Sequence, residues 1–127
     1  MKLLVKIVVL CAFISLLPVK VIAEPLYIKY QDIRVYAFEK VLQTWGSEQW
    51  FFFEDLIERE SQWKNTAQNP NSTAYGIGQF LNSTWEIVGC EKTDNAEIQV
   101  DCTIRYVSKR YSTPEKAIDF HNKNNFY

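Results

Sequence analysis

Histidine occurs once in this chain and cysteine three times. One imidazole and so few thiols cannot assemble the usual three or four nitrogen and sulfur ligands of a zinc site, so no metal and no other cofactor is expected. No repeat or low-complexity tract is present, and no polar–apolar alternation of useful length marks a strand. A basic excess is also missing: 14 Lys and Arg face 15 Asp and Glu. Nucleic acid and anionic membrane surfaces demand a basic face, so neither is expected as the main partner. The longest apolar run, Ile7 to Leu17, is shorter than the roughly 20 residues needed to span a bilayer, and Pro18 interrupts it.

What the N-terminal end does carry is the pattern of a secretory signal over residues 1–23. Lys2 and Lys6 form a positive n-region, the run above is the apolar h-region, and Val21-Ile22-Ala23 presents a cleavage site after Ala23. An uncleaved anchor is the competing reading. A lipoprotein reading of Cys11 is disfavoured by bulky Leu10 before it. Cleavage removes Lys2, Lys6 and Lys20 but no acid, leaving 11 basic and 15 acidic residues and a net charge of −4. A glycan ligand would then have to be held at short range, by aromatic faces and hydrogen bonds. Of the aromatic residues, all but Phe13 lie beyond residue 23. Cleavage also leaves two cysteines, Cys90 and Cys102, which form either one disulfide or two buried thiols; export favours the bridge. Such a bridge closing a short loop contributes about 3 kcal/mol in the loop-entropy account.

The remainder reads as helices joined by short loops. Ile33, Ala37, Val41 and Trp45 recur at i, i+4 over residues 31–45, and Gly46 ends that helix. Ser47 is positioned to cap a helix running to about Ser61. Residues 64–75 are turn-rich and hold Asn69-Pro70-Asn71-Ser72, a loop or small hairpin. Ser83 and Glu86 have capping-box spacing for a short helix ending at Gly89. Asp94 is the expected cap of a helix to about Lys109, and Thr113-Pro114 opens the last one. The expected fold class is mainly α.

Glu60 is the anomaly. It sits at the centre of the apolar arc formed by Phe53, Leu56 and Ile57, near a helix C-terminus where the dipole disfavours negative charge. Desolvation and the helix end both raise its pKa. A carboxyl protonated near neutrality is what glycoside cleavage requires, because the leaving oxygen must receive a proton. The plain alternative is a solvated carboxylate in a charge-rich last turn, Glu58-Arg59-Glu60. Downstream, Gly76-Ile77-Gly78-Gln79 sets two residues without side chains beside an amide that can both donate to and accept from hydroxyls or an acetamido group. A loop-to-helix junction explains such glycines equally well.

Taken together, residues 58–85 closely resemble the lytic transglycosylase SLT family, relatives of goose-type lysozyme. The family's Glu-Ser pair ending a helix is matched by Glu60-Ser61, and its Ala/Gly-x-Gly-Leu-x-Gln motif by Ala74-Tyr75-Gly76-Ile77-Gly78-Gln79. Ser83-Thr84-Trp85 matches a following helix start, and Tyr106-Val107 a later Tyr-Ile motif. Arg110-Tyr111 and the stretch from Ala117 to Phe126-Tyr127 resemble the end of small secreted members. The likeness covers about residues 46–127, leaving residues 24–45 as an N-terminal helical extension. It implies a lysozyme-like helical domain with a glycan-binding groove. Glu60 would be the acid and then the base, and Ser61, Tyr75, Gly76, Gln79 and Tyr106 would line the groove. Many members carry Ala-Tyr-Asn near the end, where this chain has Phe120-His121-Asn122. His121 is therefore either a substrate-side substitute for that tyrosine or a half-exposed packing residue.

The implied reaction is cleavage of the MurNAc-GlcNAc β-1,4 bond of peptidoglycan, with the muramic C6 hydroxyl attacking in place of water to leave a 1,6-anhydro end. An inverting hydrolase would need a second carboxylate roughly 6.5–9.5 Å away. Asp94 and Asp101 are explained as cap and surface residues, so the transglycosylase is preferred over a muramidase. Two other readings are an exported module that grips glycan without cutting it, and a component of an envelope-spanning secretion or conjugation assembly, docked through the helix at 31–45. The expected location is the periplasm or cell envelope, and the expected state a monomer.

Overall fold

A computed structural model describes residues 33–127. The proposed signal and cleavage site lie outside the described residues. The described chain is mainly α, with helices α1 (Ile33–Trp45), α2 (Trp50–Ser61), α3 (Asn82–Val88), α4 (Ala96–Tyr111) and α5 (Pro114–Asn124). None of them is long and apolar enough to cross a membrane.

The apolar arc of each helix decides where it packs. On α2, Phe53, Leu56 and Ile57 are fully buried, while Phe51 is 75% exposed, as the periodicity places them. Phe53 and Ile57 join Ala37 and Val41 of α1, Val100 and Ile104 of α4, Trp63 and Ile77 in one core. Leu56 faces a second core with Phe80, Trp85, Cys102, Tyr106, Val107, Tyr111 and Ile118. Thus α2 and α4 each contribute to both cores. α1 is stitched to α4 by Trp45 Nε1–H donating to Ser112 O at 2.7 Å and Tyr36 Oη–H donating to Asp101 at 3.0 Å.

Several helix starts differ from the sequence reading. A 3₁₀ turn over Ser47–Gln49 precedes α2, and no side chain caps it. Leu81 rather than Ser83 occupies the cap position of α3, again without a side-chain cap, because the chain is already pinned there by Asn82 N–H donating to Thr73 Oγ1 at 3.2 Å. Asn95, not Asp94, caps α4 by accepting from Ile98 N–H at 3.0 Å. Asp94 is occupied elsewhere, by the hydroxyl of Tyr75. Thr113 and Pro114 start α5 as expected. On α4, Ile98 is 46% exposed, and Val107 and Tyr111 share a core with Cys102 and Tyr106.

Cys90 and Cys102 form a disulfide, Cα–Cα 6.4 Å, tying the segment after α3 to the middle of α4. Residues 68–80 fold into a small double turn with isolated antiparallel bridges Gln68–Tyr75 and Tyr75–Phe80. It packs across α4 and faces the end of α2.

Candidate active site

The site is built at the C-terminus of α2. The chain leaves that helix through two consecutive non-glycine residues in the left-handed region, Gln62 (φ 51°) and Trp63 (φ 63°). Each costs about 1–2 kcal/mol. Burial of the Trp63 ring, 6.0 Å from Trp50 and 6.4 Å from Phe53, offsets that strain and fixes the turn. Glu60 is thereby held inward. Its side chain is 15% exposed, against 53% for Glu58 two residues earlier. Burial, with no contribution from a neighbouring charge, raises its carboxyl from 4.5 to about 7.

His121 of α5 meets this carboxyl, with Nε2 3.1 Å from Glu60 Oε1. Burial, then the positive charge of Arg59, lowers the histidine pKa, while Asp55 opposes them. Both shifts favour the uncharged forms. Arg59 forms a bidentate pair with Asp55 at 2.7 and 3.0 Å and donates to Asn122 Oδ1 at 2.7 Å, which ties α2 to α5 beside the site. The phenols of Tyr127 and Tyr111 are raised chiefly by burial, with the Glu60 charge a lesser cause for each. They remain neutral at the pH where Glu60 titrates.

The facing wall is the Gly76–Phe80 turn, and a buried glutamine shapes it. Gln99 Oε1 accepts from Ile77 N–H at 2.7 Å, and its amide nitrogen donates to Asn65 O at 2.8 Å and Thr93 O at 2.6 Å. A Cβ on Gly76 (φ +80°) would lie 2.7 Å from the Gln99 amide, and one on Gly78 would lie 2.6 Å from Thr103 Oγ1. Glycine is therefore needed at 76 and 78 for packing against α4. Gln79 adopts φ 48°, and its Nε2 donates to Gly76 O at 2.9 Å and Ala67 O at 3.1 Å. Its amide oxygen is left to accept from a ligand.

Two adjoining clefts share Glu60, Asn69 and Gln79. One, of about 470 Å³, continues along Gly78, Phe80, Leu81, Tyr106, Arg110 and Phe126. The other, of about 530 Å³, continues along Arg59, Gln62, Lys64 and Gln68. Glu60, Gln79, Tyr106 and His121 thus converge. Ser61 lines the second cleft but is largely buried, its hydroxyl donating to Ile57 O at 3.4 Å. Tyr75 and Gly76 line neither cleft: the Tyr75 hydroxyl is bonded to Asp94 with Lys92 over its ring, and Gly76 turns toward Gln99. Asp94 and Asp101 are engaged by Tyr75 and Tyr36. Among the described residues, Glu60 is the only Asp or Glu lining either cleft.

Sequence reasoning missed Gln99, Arg110 and Phe126. Gln99 and Thr103, four apart and both buried on the inner face of α4, were the available signal for the first. Compared with family models, curated proteins and solved structures, the chain matches none.

Proposed function

We propose that this protein is a peptidoglycan lytic transglycosylase of the SLT, goose-lysozyme-like kind, acting on glycan strands in the periplasm or cell envelope after export. The observation that carries the reading is Glu60: a carboxyl buried at the meeting point of two clefts, raised by that burial to about 7. The Glu-Ser and Gly-Ile-Gly-Gln motifs supply the choice of substrate.

In this mechanism a glycan strand lies through both clefts with its scissile bond at Glu60. The protonated carboxyl donates to the glycosidic oxygen as the C1–O4 bond breaks, so the departing sugar leaves as a neutral alcohol. Glu60, now a carboxylate, takes the proton of the muramic C6 hydroxyl while O6 bonds to C1. The proton count closes on the enzyme, no water is consumed, and a single acid serves both steps. The lack of a second Asp or Glu lining the clefts, among the described residues, favours this over inverting hydrolysis, which needs a second acidic side chain to activate water. Gln79 Oε1 is placed to accept from a sugar hydroxyl or acetamido N–H.

Digestion of purified peptidoglycan with mass analysis of the products tests the reading. Anhydro-muropeptides are expected. Reducing ends would replace the proposed reaction by hydrolysis at the same site, and an undigested polymer would leave glycan binding without cleavage.

A further inference from the structure

The four described arginines are not used alike. Arg34 pairs with Glu58 at 3.3 Å, Arg59 with Asp55, and Arg105 donates to the carbonyl of Val88 at 3.0 Å at the end of α3. Arg110 differs. Its guanidinium donates to the Tyr106 hydroxyl at 2.6 Å, and that hydroxyl in turn donates to Tyr127 O at 3.2 Å. Its remaining contacts are the faces of three rings, Tyr106, Tyr111 and Phe120, at 5.6, 5.3 and 5.5 Å. Among the described residues no Asp or Glu side chain pairs with it, and the main-chain carboxyl group of Tyr127 is reached only through the Tyr106 hydroxyl. Nor is it the counter-charge of Glu60, whose shift has burial as its cause.

Arg110 nevertheless lines the 470 Å³ cleft together with Glu60. A guanidinium offers five N–H donors in a planar fork that matches a carboxylate. Freezing an arginine side chain costs up to about 2 kcal/mol of rotamer entropy, and here the rings and the phenol have already imposed that order. Next to it stands Phe126, 55% exposed and set edge-on against Phe120 at 5.5 Å. It lines the same cleft.

We propose that the Arg110–Phe126 end of the cleft is an anion subsite, in which Phe126 carries a sugar ring and Arg110 takes a carboxylate borne on that sugar. The inference rests on the glycan reading above and deepens it: the enzyme would separate an acidic glycan from a neutral one by this contact. In peptidoglycan the carboxylate has two sources, the lactyl group of an unsubstituted muramic acid and the stem peptide attached to it.

Binding is measured by calorimetry on full-length protein carrying Glu60→Gln, which prevents turnover. The probes are three oligosaccharides of equal length: a neutral chitooligosaccharide, a peptide-free muramyl glycan with a free lactyl carboxylate, and the same glycan with stem peptides. Adding Arg110→Gln should weaken one or both acidic probes about tenfold or more, the size expected for losing a charged hydrogen bond, and the chitooligosaccharide less than twofold. Whichever acidic probe responds identifies the source of the carboxylate. Arg110→Lys keeps the charge without the fork and should recover part of the loss. Because Arg110 also braces three rings, a second measurement needs no change at Arg110: raising salt should weaken the acidic probes and leave the neutral one unchanged. Equal weakening of all three probes by Arg110→Gln, or an acidic-probe affinity indifferent to salt, overturns the subsite and leaves the glycan reading standing. Failure of all three probes to bind overturns both.

Discussion

Gln99 and Glu60 are both polar side chains held largely away from water, and the protein treats them in opposite ways. Gln99, 1% exposed, has its amide oxygen and nitrogen bonded to three backbone groups of the surrounding loops. Every polar atom of that side chain is matched, so it acts as scaffold: it sets the Gly76–Phe80 turn against α4. Glu60, 15% exposed, has one imidazole nitrogen at 3.1 Å, two phenols close enough to feel its charge, and no cation to balance it. Its carboxyl stays unmatched, and the cost appears as a pKa near 7. A buried polar group that is satisfied fixes a shape; one left unsatisfied at a cleft keeps chemistry available.

The largest effect expected from breaking this contrast is on catalysis. Glu60→Gln keeps the size and polarity of the side chain but can neither give a proton to the glycosidic oxygen nor take one from the C6 hydroxyl. Cleavage of peptidoglycan should fall by about 10²–10⁴-fold or more, with circular dichroism unchanged. Turnover near the wild-type rate would remove Glu60 from the mechanism.

On stability the roles reverse. Gln99→Leu strands Ile77 N–H and the carbonyls of Asn65 and Thr93. At about 1–3 kcal/mol for each buried group left unpaired, we expect a loss of at least 3 kcal/mol in chemical denaturation. A variant as stable as wild type would show that the turn is held by other contacts.

Glu60→Gln, by contrast, should stabilise the protein, and only at higher pH. The folded pKa of about 7 stands above the unfolded value of 4.5. The folded state therefore holds the proton more tightly, stability contributed by the protonated form is complete below about pH 4.5, and it is lost as pH rises through 7. The uncharged amide escapes that loss. At pH 8 the variant should exceed wild type by about 3 kcal/mol, and at pH 4 the two should coincide. A constant difference across this range would contradict burial as the origin of the shift. The same titration sets the activity profile: a carboxyl that acts first as an acid loses activity as pH rises through about 7.

The smallest change is expected at His121. Replacing it with Ala admits water to Glu60 Oε1, relieves desolvation and lowers the carboxyl pKa, so the falling limb of the pH–rate profile should move by less than about one unit toward acid. A limb displaced toward alkali would mean instead that Nε2–H donates to the carboxylate and stabilises it.

Helix existence was legible in this chain because a 3.6-residue apolar period, glycine stops and Thr113-Pro114 are local signals. Helix starts were less so. Ser83 and Asp94 have the right chemistry for caps, but Thr73 and Tyr75, distant in sequence, compete for the neighbouring backbone and the carboxylate. The candidate site divides in the same way. Glu60 stood out because a carboxylate in an apolar arc violates the period, and Gly78 and Gln79 because they form a motif. Tyr75 and Gly76 belong to the same motif, yet the turn alternates its faces and sends them away from both clefts toward Asp94 and Gln99.

The sequence by itself therefore determined a mainly helical chain and the one carboxylate placed against hydrophobic periodicity, and it favoured a bridge between Cys90 and Cys102 without deciding it. Only the tertiary structure decided that His121 of α5 would press on that carboxylate, that Gln99 would fold the facing turn, and that Arg110 would stand in the cleft with no Asp or Glu paired to it. Periodicity reports which face of a helix avoids water, since that depends on the helix alone. Partners across a cleft depend on how two helices and a turn pack, and the burial that lifts Glu60 to about 7 comes into being only with that packing.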